Sequence, residues 1–471
     1  MAQVVLIQSP VDFYNKERVN ADQTSSPPMG LLYIAAYLEK KGISVRLIDP
    51  FPEKLDLEDI LRIVEEEKPL LIGISSMTPG IRVAVLIAKA IRKKFKKIII
   101  GIGGYHPSVD GTFVKRYPFF DFQVIGEAEI TFYEIFKDVE AKKKLKKVYF
   151  GKMVTDLDTL PFPARHLLKG CYFGPHDKRE ALEPEVTIIS SRGCPFHCIF
   201  CSKPLHRNLY RYRSAKNIVD EMEATYHLCG GRYNFVDDTM GADRQKAIEF
   251  CNEIISRNFK VKFATSIRAV DIDTELLKKF AQAGCREIFI GIESGNERIR
   301  NEIINKPAPE RKLKEAVNLC RKLGIQSNFY LMLGFPTETW REIDDTINIG
   351  SRIKADFIGI HLTQIIPGSR LYELAIKEGK IKKDTIDRYI RGELGNDFFE
   401  VFPKYVPDGL TLEDLKKARK IAYRKFFLNP GWIYRRVASY FKFPQKAIKD
   451  LRLVKQGLYV LTHGHTISAP S

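Results

Sequence analysis

The sequence predicts an α/β chain in three parts: a doubly wound, Rossmann-like domain over residues 1–150, a (βα)6 partial barrel over 186–384, and a basic, aromatic helical region over 385–471, with 151–185 as the linker. Two successive runs of short apolar segments alternating with amphipathic stretches predict the first two parts, and the loss of that alternation predicts the third. A length of 471 residues also exceeds what one hydrophobic core usually supports.

In the first part, Val4–Ile7, Ser44–Ile48, Leu70–Ser75, Ile98–Gly101 and Phe122–Ile125 read as buried strands. Gly30–Lys41, Asp56–Glu67 and Ile81–Phe95 carry apolar residues at helical spacing, with charges on the opposite side. Such alternation needs a parallel sheet with helices on both faces, because each crossover must return the chain to the same sheet end. The lysine-rich Lys137–Lys152 and then Leu160-Pro161-Phe162-Pro163 read as the passage to the second part.

From Val186 the pattern restarts with Val186–Ser190, Tyr233–Val236, Val261–Ser266, Glu287–Ile292, Gln326–Leu333 and Phe357–Thr363, each followed by a helical pattern. Six such units make a barrel shorter than the eight-unit TIM barrel, and in these barrels active sites gather at the C-terminal strand ends. Beyond about Gly379 the strand signal stops, residues 385–460 read as helical, and the last ten as frayed.

At 44% hydrophobic and 28% charged residues, the composition is that of a globular protein able to build real cores. No apolar run reaches the roughly 18–20 residues needed to span a bilayer. The N-terminus enters Val4-Val5-Leu6-Ile7 without a basic leader, so a cytoplasmic location is expected. Eight cysteines are too sparse and irregular for a disulfide scaffold. In a reducing compartment, clustered cysteines point to metal ligation or reactivity.

The cluster is Arg192-Gly193-Cys194-Pro195-Phe196-His197-Cys198-Ile199-Phe200-Cys201, in the loop after the first barrel strand. Three thiolates at C-x3-C-x2-C spacing can wrap a compact iron–sulfur cluster and leave one iron open for a chelating molecule. The alternative is a zinc site completed by His197 or His206, although zinc knuckles favour C-x2-C pairs and no second pair exists. Cys171, Cys229, Cys251, Cys285 and Cys320 have no ligand spacing, and most read as buried small hydrophobes, which argues against a second cluster.

This spacing, with the aromatic Phe200 before the last cysteine, resembles the radical S-adenosylmethionine (radical SAM) superfamily. The resemblance implies a [4Fe–4S] cluster on Cys194, Cys198 and Cys201, with S-adenosylmethionine chelating the open iron through its amino and carboxylate groups. It also implies an external electron donor such as ferredoxin or flavodoxin, and a 5′-deoxyadenosyl radical as the product of cleavage. Asp237 and Asp238 follow the second strand, where the superfamily usually carries a Gly-Gly-Glu that binds the methionyl ammonium; here carboxylates replace it. Arg268 ends the third strand. Gly291-Ile292-Glu293-Ser294-Gly295 ends the fourth and looks like the family segment near the ribose and carboxylate. Gly334–Thr339 ends the fifth, and Gln364–Ser369 the sixth. Each has a plainer reading: Asp238 as a helix cap, Glu293 as partner of a barrel arginine, Gly334–Thr339 as a tight turn with a capping threonine.

In the first part, Ser26-Pro27-Pro28-Met29-Gly30-Leu31-Leu32-Tyr33, Gly73–Thr78, Gly101–Pro107 and Gly126-Glu127-Ala128-Glu129 resemble radical enzymes with a cobalamin-binding domain. The resemblance gives Ser75, Thr78, Gly103, Gly104, His106 and Glu127 as cofactor-binding candidates. Glycines at strand ends let backbone approach a flat corrin, and small hydroxyls can bond its side arms. Many cobalamin domains carry Asp-x-His-x-x-Gly after the first strand; here Gln8-Ser9-Pro10-Val11-Asp12-Phe13 offers no histidine. Cobalamin held without that ligand and a domain that keeps the fold alone both remain open.

The net charge is +18, and residues 410–456 hold 13 lysines and arginines against three acids, interleaved with Tyr423, Phe426, Phe427, Trp432, Tyr434, Tyr440, Phe441 and Phe443. Three readings fit: aromatics packed on the barrel with lysines in water, an anionic membrane surface, or, least, nucleic acid. The leading expectation is a cobalamin-dependent radical SAM enzyme of the class B methyltransferase type. Its substrate would be a small apolar molecule (lipid, tetrapyrrole or natural product) methylated at an unactivated carbon. A radical cyclase or carbon–carbon coupling enzyme is the rival, and a zinc-stabilised nucleic-acid-binding protein the distant alternative.

Overall fold

The computed structural model describes residues 1–11, 26–169, 172, 185–206, 209–395 and 402–442. Asp12, Phe13, Cys171 and the sequence from Phe443 onward lie outside the described residues. The chain forms two compact units, one of Met1–Pro195, Cys201–Arg232 and Ile366–Pro403, the other of Phe196–Phe200, Tyr233–Ile365 and Lys404–Ser471.

The first unit holds a six-stranded parallel sheet: β1 Val4–Gln8, β2 Val45–Ile48, β3 Leu71–Ser75, β4 Ile99–Gly103, β5 Phe122–Ile125 and β6 Val148–Phe150, in the order β2-β1-β3-β4-β5-β6. Val4 and Leu6 share a core with Leu31, Leu32 and Leu38 of helix Met29–Lys40 and Phe132, Ile135 and Phe136 of helix Glu129–Glu140. Val5 and Ile7 are fully buried outside that core, as period-two alternation between helix layers requires.

The segment read as a lysine-rich passage contains structure. Its start completes helix Glu129–Glu140, and Val148–Phe150 adds an edge strand. Three half-buried or exposed side chains leave little apolar signal, and flanking lysines suit an unpaired edge. Val154, Leu157, Leu160 and Ala164 then pack into the same core.

After β7 Val186–Ile188 comes a short antiparallel hairpin, β8 Ser191–Arg192 with β9 Arg211–Tyr212. The strands β10 Arg232–Phe235, β11 Lys262–Ser266, β12 Cys285–Glu293, β13 Gln326–Leu333 and β14 Phe357–Leu362 follow. They give a second sheet in the order β14-β13-β12-β11-β10-β7, parallel from β11 to β14.

The C-terminal region is helical over Leu412–Phe427 and Pro430–Lys442. The Tyr423 hydroxyl accepts the Ile360 N–H at 2.9 Å, and the Trp432 indole donates to the Asp356 carbonyl at 3.0 Å. Tyr423, Phe426, Phe427 and Trp432 stack among themselves beside the outermost strand, β14. Packing thus accounts for these aromatics, while Leu428, Ile433, Tyr434 and Val437 stay exposed. Among the described residues, no helix is long and apolar enough to cross a membrane.

Candidate functional site

The loop carrying the three cysteines leaves the β8–β9 hairpin through Gly193, whose φ is +88°. A Cβ there would sit 1.8 Å from the Leu209 carbonyl oxygen, so only glycine permits this exit. In the first unit, Lys203 Nζ donates to the Cys194 carbonyl at 2.8 Å. Cys194 and Cys198 are half-buried and Cys201 exposed.

Glu127 follows β5, and its carboxylate receives Arg192 at 3.2 Å, His206 Nδ1 at 2.7 Å and Arg211 at 3.1 Å with a second, shorter Arg211 bond. Burial opposes ionisation, but the hydrogen bonds from His206 and Arg211 and the charge of Arg192 hold its pKa down at about 2. Arg192 also donates to Glu129 at 2.7 Å and lies over the Tyr33 ring.

At the C-terminal edge of the first sheet, Gln8, Ser75 and Gly103 are in register across β1, β3 and β4. Gly104 turns the chain at φ +92°, where a Cβ would meet Ser75 Oγ at 2.8 Å. Thr78 and His106 are both buried and share a hydrogen bond at 3.2 Å through Nδ1, joining the loops after β3 and β4. His106 Nε2 is buried without a hydrogen-bond partner, and burial pushes the imidazole down to about 4, so the ring is neutral.

In the second unit, the middle of the cysteine loop is held by packing. Ile199 N–H donates to the Ile304 carbonyl at 3.0 Å, and Cys198 and Phe200 pack on the buried Ile299, Ile304 and Phe335. Arg268, past the end of β11, places its guanidinium carbon 3.5 Å from the centre of the Phe196 ring, a close cation–π stack. Asp237 is buried and Asp238 exposed. Asp238 caps no helix: the short 3-10 helix Met240–Ala242 starts after Thr239, and Asp243 caps the α-helix Arg244–Ser256.

Glu293 ends β12 at φ +69°, a left-handed conformation that side chains adopt seldom and that concentrates at functional sites. Its partner is Lys306 at 2.7 Å rather than an arginine. Ser294 is buried, its hydroxyl shared with Thr346 and the Asn296 N–H, and Arg300 braces the turn by donating to the Ser294 carbonyl at 2.7 Å. Past β13, Glu338 folds back to accept the N–H groups of Gly334 and Phe335 at 2.7 and 3.0 Å, while Thr339 forms a capping box with Glu342. The capping-threonine reading of this segment therefore holds for Thr339.

Thr265 Oγ1, Arg268 Nε, Asp271 Oδ2, Glu338 Oε1, Thr363 Oγ1 and Gln364 Nε2 are buried without hydrogen-bond partners, and all lie in or just beyond barrel strands. Native interiors rarely leave such atoms unpaired, so their recurrence along the barrel strands and the segments just past them fits a polar ligand that completes them. Lys306 and Asp271 carry no motif signal in the sequence, and Glu338 has none beyond lying inside the Gly334–Thr339 segment. For the cluster, the donor chemistry fits: three cysteine sulfurs on one loop suit iron–sulfur ligation. Among the described residues, no three His, Cys, Asp or Glu side chains already converge on one ion position. For a corrin, the Ser75–Gly103–Gly104 edge offers backbone with little side chain in front of it, as Gly103 has nothing closer than 3.7 Å to a built Cβ.

Two family models match the sequence: the radical SAM superfamily over residues 188–349 and the B12 binding domain over residues 19–136. The chain carries a radical SAM domain and a B12-binding domain. The domain pair makes it an enzyme, with one domain of the S-adenosylmethionine class and one of the cobalamin-binding class. The radical SAM match spans β7 to helix Trp340–Arg352 and includes all three loop cysteines. An uncharacterized methyltransferase of Pyrococcus horikoshii is 26% identical over 95% of this chain and 98% of its own length. An anaerobic magnesium-protoporphyrin IX monomethyl ester cyclase of Cereibacter sphaeroides is 28% identical over 86% of this chain and 67% of its own. The radical SAM methyltransferase TsrM from Kitasatospora setae, solved with cobalamin and a [4Fe–4S] cluster, shares the fold at a TM-score of 0.64 and 18% identity, over 80% of this chain and 78% of that one.

Proposed function

We propose that this radical SAM protein is a cobalamin-dependent methyltransferase acting at an unactivated carbon of a small apolar substrate. The observation that carries the reading is the C-x3-C-x2-C loop and a B12-binding domain in one chain, matched almost end to end by a relative named as a methyltransferase. When bound, the cluster and S-adenosylmethionine supply a 5′-deoxyadenosyl radical, and cobalamin carries the methyl group.

Cys194, Cys198 and Cys201 would each hold one iron of the cluster. Phe200 supports the loop by packing on Phe335, with ring centres 6.1 Å apart. Asp237, Asp238, Arg268, Glu293, Gly334 and Gln364, with Asp271 and Thr363, are the groups at barrel strand ends suited to the ammonium, carboxylate and hydroxyls of S-adenosylmethionine. Ser294 shapes the Glu293 turn. Ser75, Gly103 and Gly104 would meet the corrin, and Thr78 with His106 would fix the segments after β3 and β4.

The chemistry would draw its electron from a one-electron donor of the ferredoxin or flavodoxin type. The Cereibacter relative supports a second reading, ring closure on a tetrapyrrole without methyl transfer. The exposed Leu428, Ile433, Tyr434 and Val437 beside basic residues support peripheral contact with an anionic membrane, which sedimentation with anionic vesicles would check.

The test is anaerobic reconstitution with iron, sulfide and cobalamin, followed by reduction in the presence of S-adenosylmethionine. Bound iron and sulfide, with 5′-deoxyadenosine and S-adenosylhomocysteine together, are expected. Deoxyadenosine alone favours the cyclase, and a protein that binds zinc but no sulfide overturns both readings.

A further inference from the structure

We propose that Glu127 is a positioning residue that fastens both ends of the cysteine loop, and so governs how firmly this chain keeps its iron–sulfur cluster. The inference rests on the reading that Cys194, Cys198 and Cys201 ligate that cluster. The resemblance made Glu127 a cofactor-binding candidate, but its carboxylate is fully engaged. One oxygen takes His206 and Arg211, and the other takes Arg192 and Arg211. A ligand would find no lone pair free without displacing a guanidinium.

The partners come from opposite sides of the loop. Arg192 stands two residues before Cys194, while His206 and Arg211 stand five and ten residues after Cys201. Arg192 and Arg211 are themselves paired across the β8–β9 hairpin. One buried carboxylate therefore draws two cations of adjacent strands together, against the repulsion they would otherwise exert at that hairpin. Glu129 takes the remaining reach of Arg192 at 2.7 Å, and the Tyr33 ring lies under its guanidinium at 4.8 Å, so this end of the loop has little freedom to part. Three thiolates on a loop with fixed ends start closer to one arrangement than they would on an open loop, because the cost of closing the loop is already met. A cluster bound there should leave slowly.

The experiment uses the full chain, reconstituted anaerobically, as parent, Glu127→Gln, Arg211→Gln and the double variant. The readouts are iron and sulfide per chain, the rate of iron loss to a ferrous chelator, retention of added cobalamin, and the thermal melt by circular dichroism. Glu127→Gln is expected to lose iron several-fold faster than the parent with cobalamin retention unchanged. The double variant should be no faster than the faster single, because both changes break the same contact. A role confined to general stability would instead lower the melt and cobalamin retention together. Iron loss at the parental rate, or cobalamin loss with iron loss unchanged, overturns the proposal. If Glu127→Gln does not fold, His206→Gln removes one of the carboxylate's partners and carries the same test: faster iron loss is expected, and a parental rate refutes it. A parent that takes up no iron and sulfide refutes the cluster reading itself, which is a different result from a parent that loads normally beside unaltered variants.

Discussion

Glu338 is a buried acid whose ionisation should be measurable as stability. It is 1% exposed, its Oε1 has no partner, and burial pushes its pKa from 4.5 up to about 7 despite the two backbone N–H groups on Oε2. Between those two values the folded chain keeps a proton that the unfolded chain releases. Stability from this group is therefore complete below pH 4.5 and is lost as pH rises through about 7. The separation of the two values corresponds to about 3 kcal/mol. Glu338→Gln keeps an oxygen for the Gly334 and Phe335 N–H groups and cannot ionise. Its unpaired amide costs the same at every pH, so that cost cancels when two pH values are compared. Urea unfolding of parent and variant across this range should show the parent losing ground to Glu338→Gln by up to about 3 kcal/mol. Midpoints that move in parallel would refute the reasoning, because the buried carboxyl would then titrate like an exposed one.

Further outcomes follow from other sites. Gly193→Ala forces a Cβ to within 1.8 Å of the Leu209 oxygen at φ +88°; backbone strain alone should cost about 1–3 kcal/mol in a denaturation midpoint, and reconstituted iron should fall with it. Glu221 is fully buried between Arg165 and Arg213, so Glu221→Gln leaves two guanidiniums without a counter-charge and should destabilise the first unit by about 3–5 kcal/mol, read as a lowered urea midpoint. Tyr423→Phe removes the acceptor for the Ile360 N–H and should cost about 1–3 kcal/mol, with faster amide exchange at Ile360 as the local check.

The strands of both sheets were largely legible because parallel strands are buried on both faces and write continuous apolar runs. Gln326–Leu333 and Phe122–Ile125 agree residue for residue, and most other ends move by one or two. Strand β6 was not legible, since an edge strand with half-exposed side chains has no such run. The β8–β9 hairpin was hidden for another reason: two residues per strand carry no period. Among site residues, Thr339 could be read as a cap because its partner Glu342 stands three places on. The ion pairs of Glu127 join residues dozens of positions apart, and the Glu293–Lys306 pair depends on how the turn after β12 folds back. Local sequence encodes which residues are polar at a strand end; only the fold decides which of them meet.

The hydroxyl of Tyr423 on Ile360 and the indole of Trp432 on Asp356 occupy the border where a closed eight-stranded barrel would add its next strand. A sheet that stops at β14 presents a row of backbone donors and acceptors to whatever chain drifts past. The basic C-terminal helices are therefore a guard against self-association as well as a packing layer. A chain cut before Thr411 would carry an adhesive rim, and its first symptom would be turbidity rather than lost chemistry.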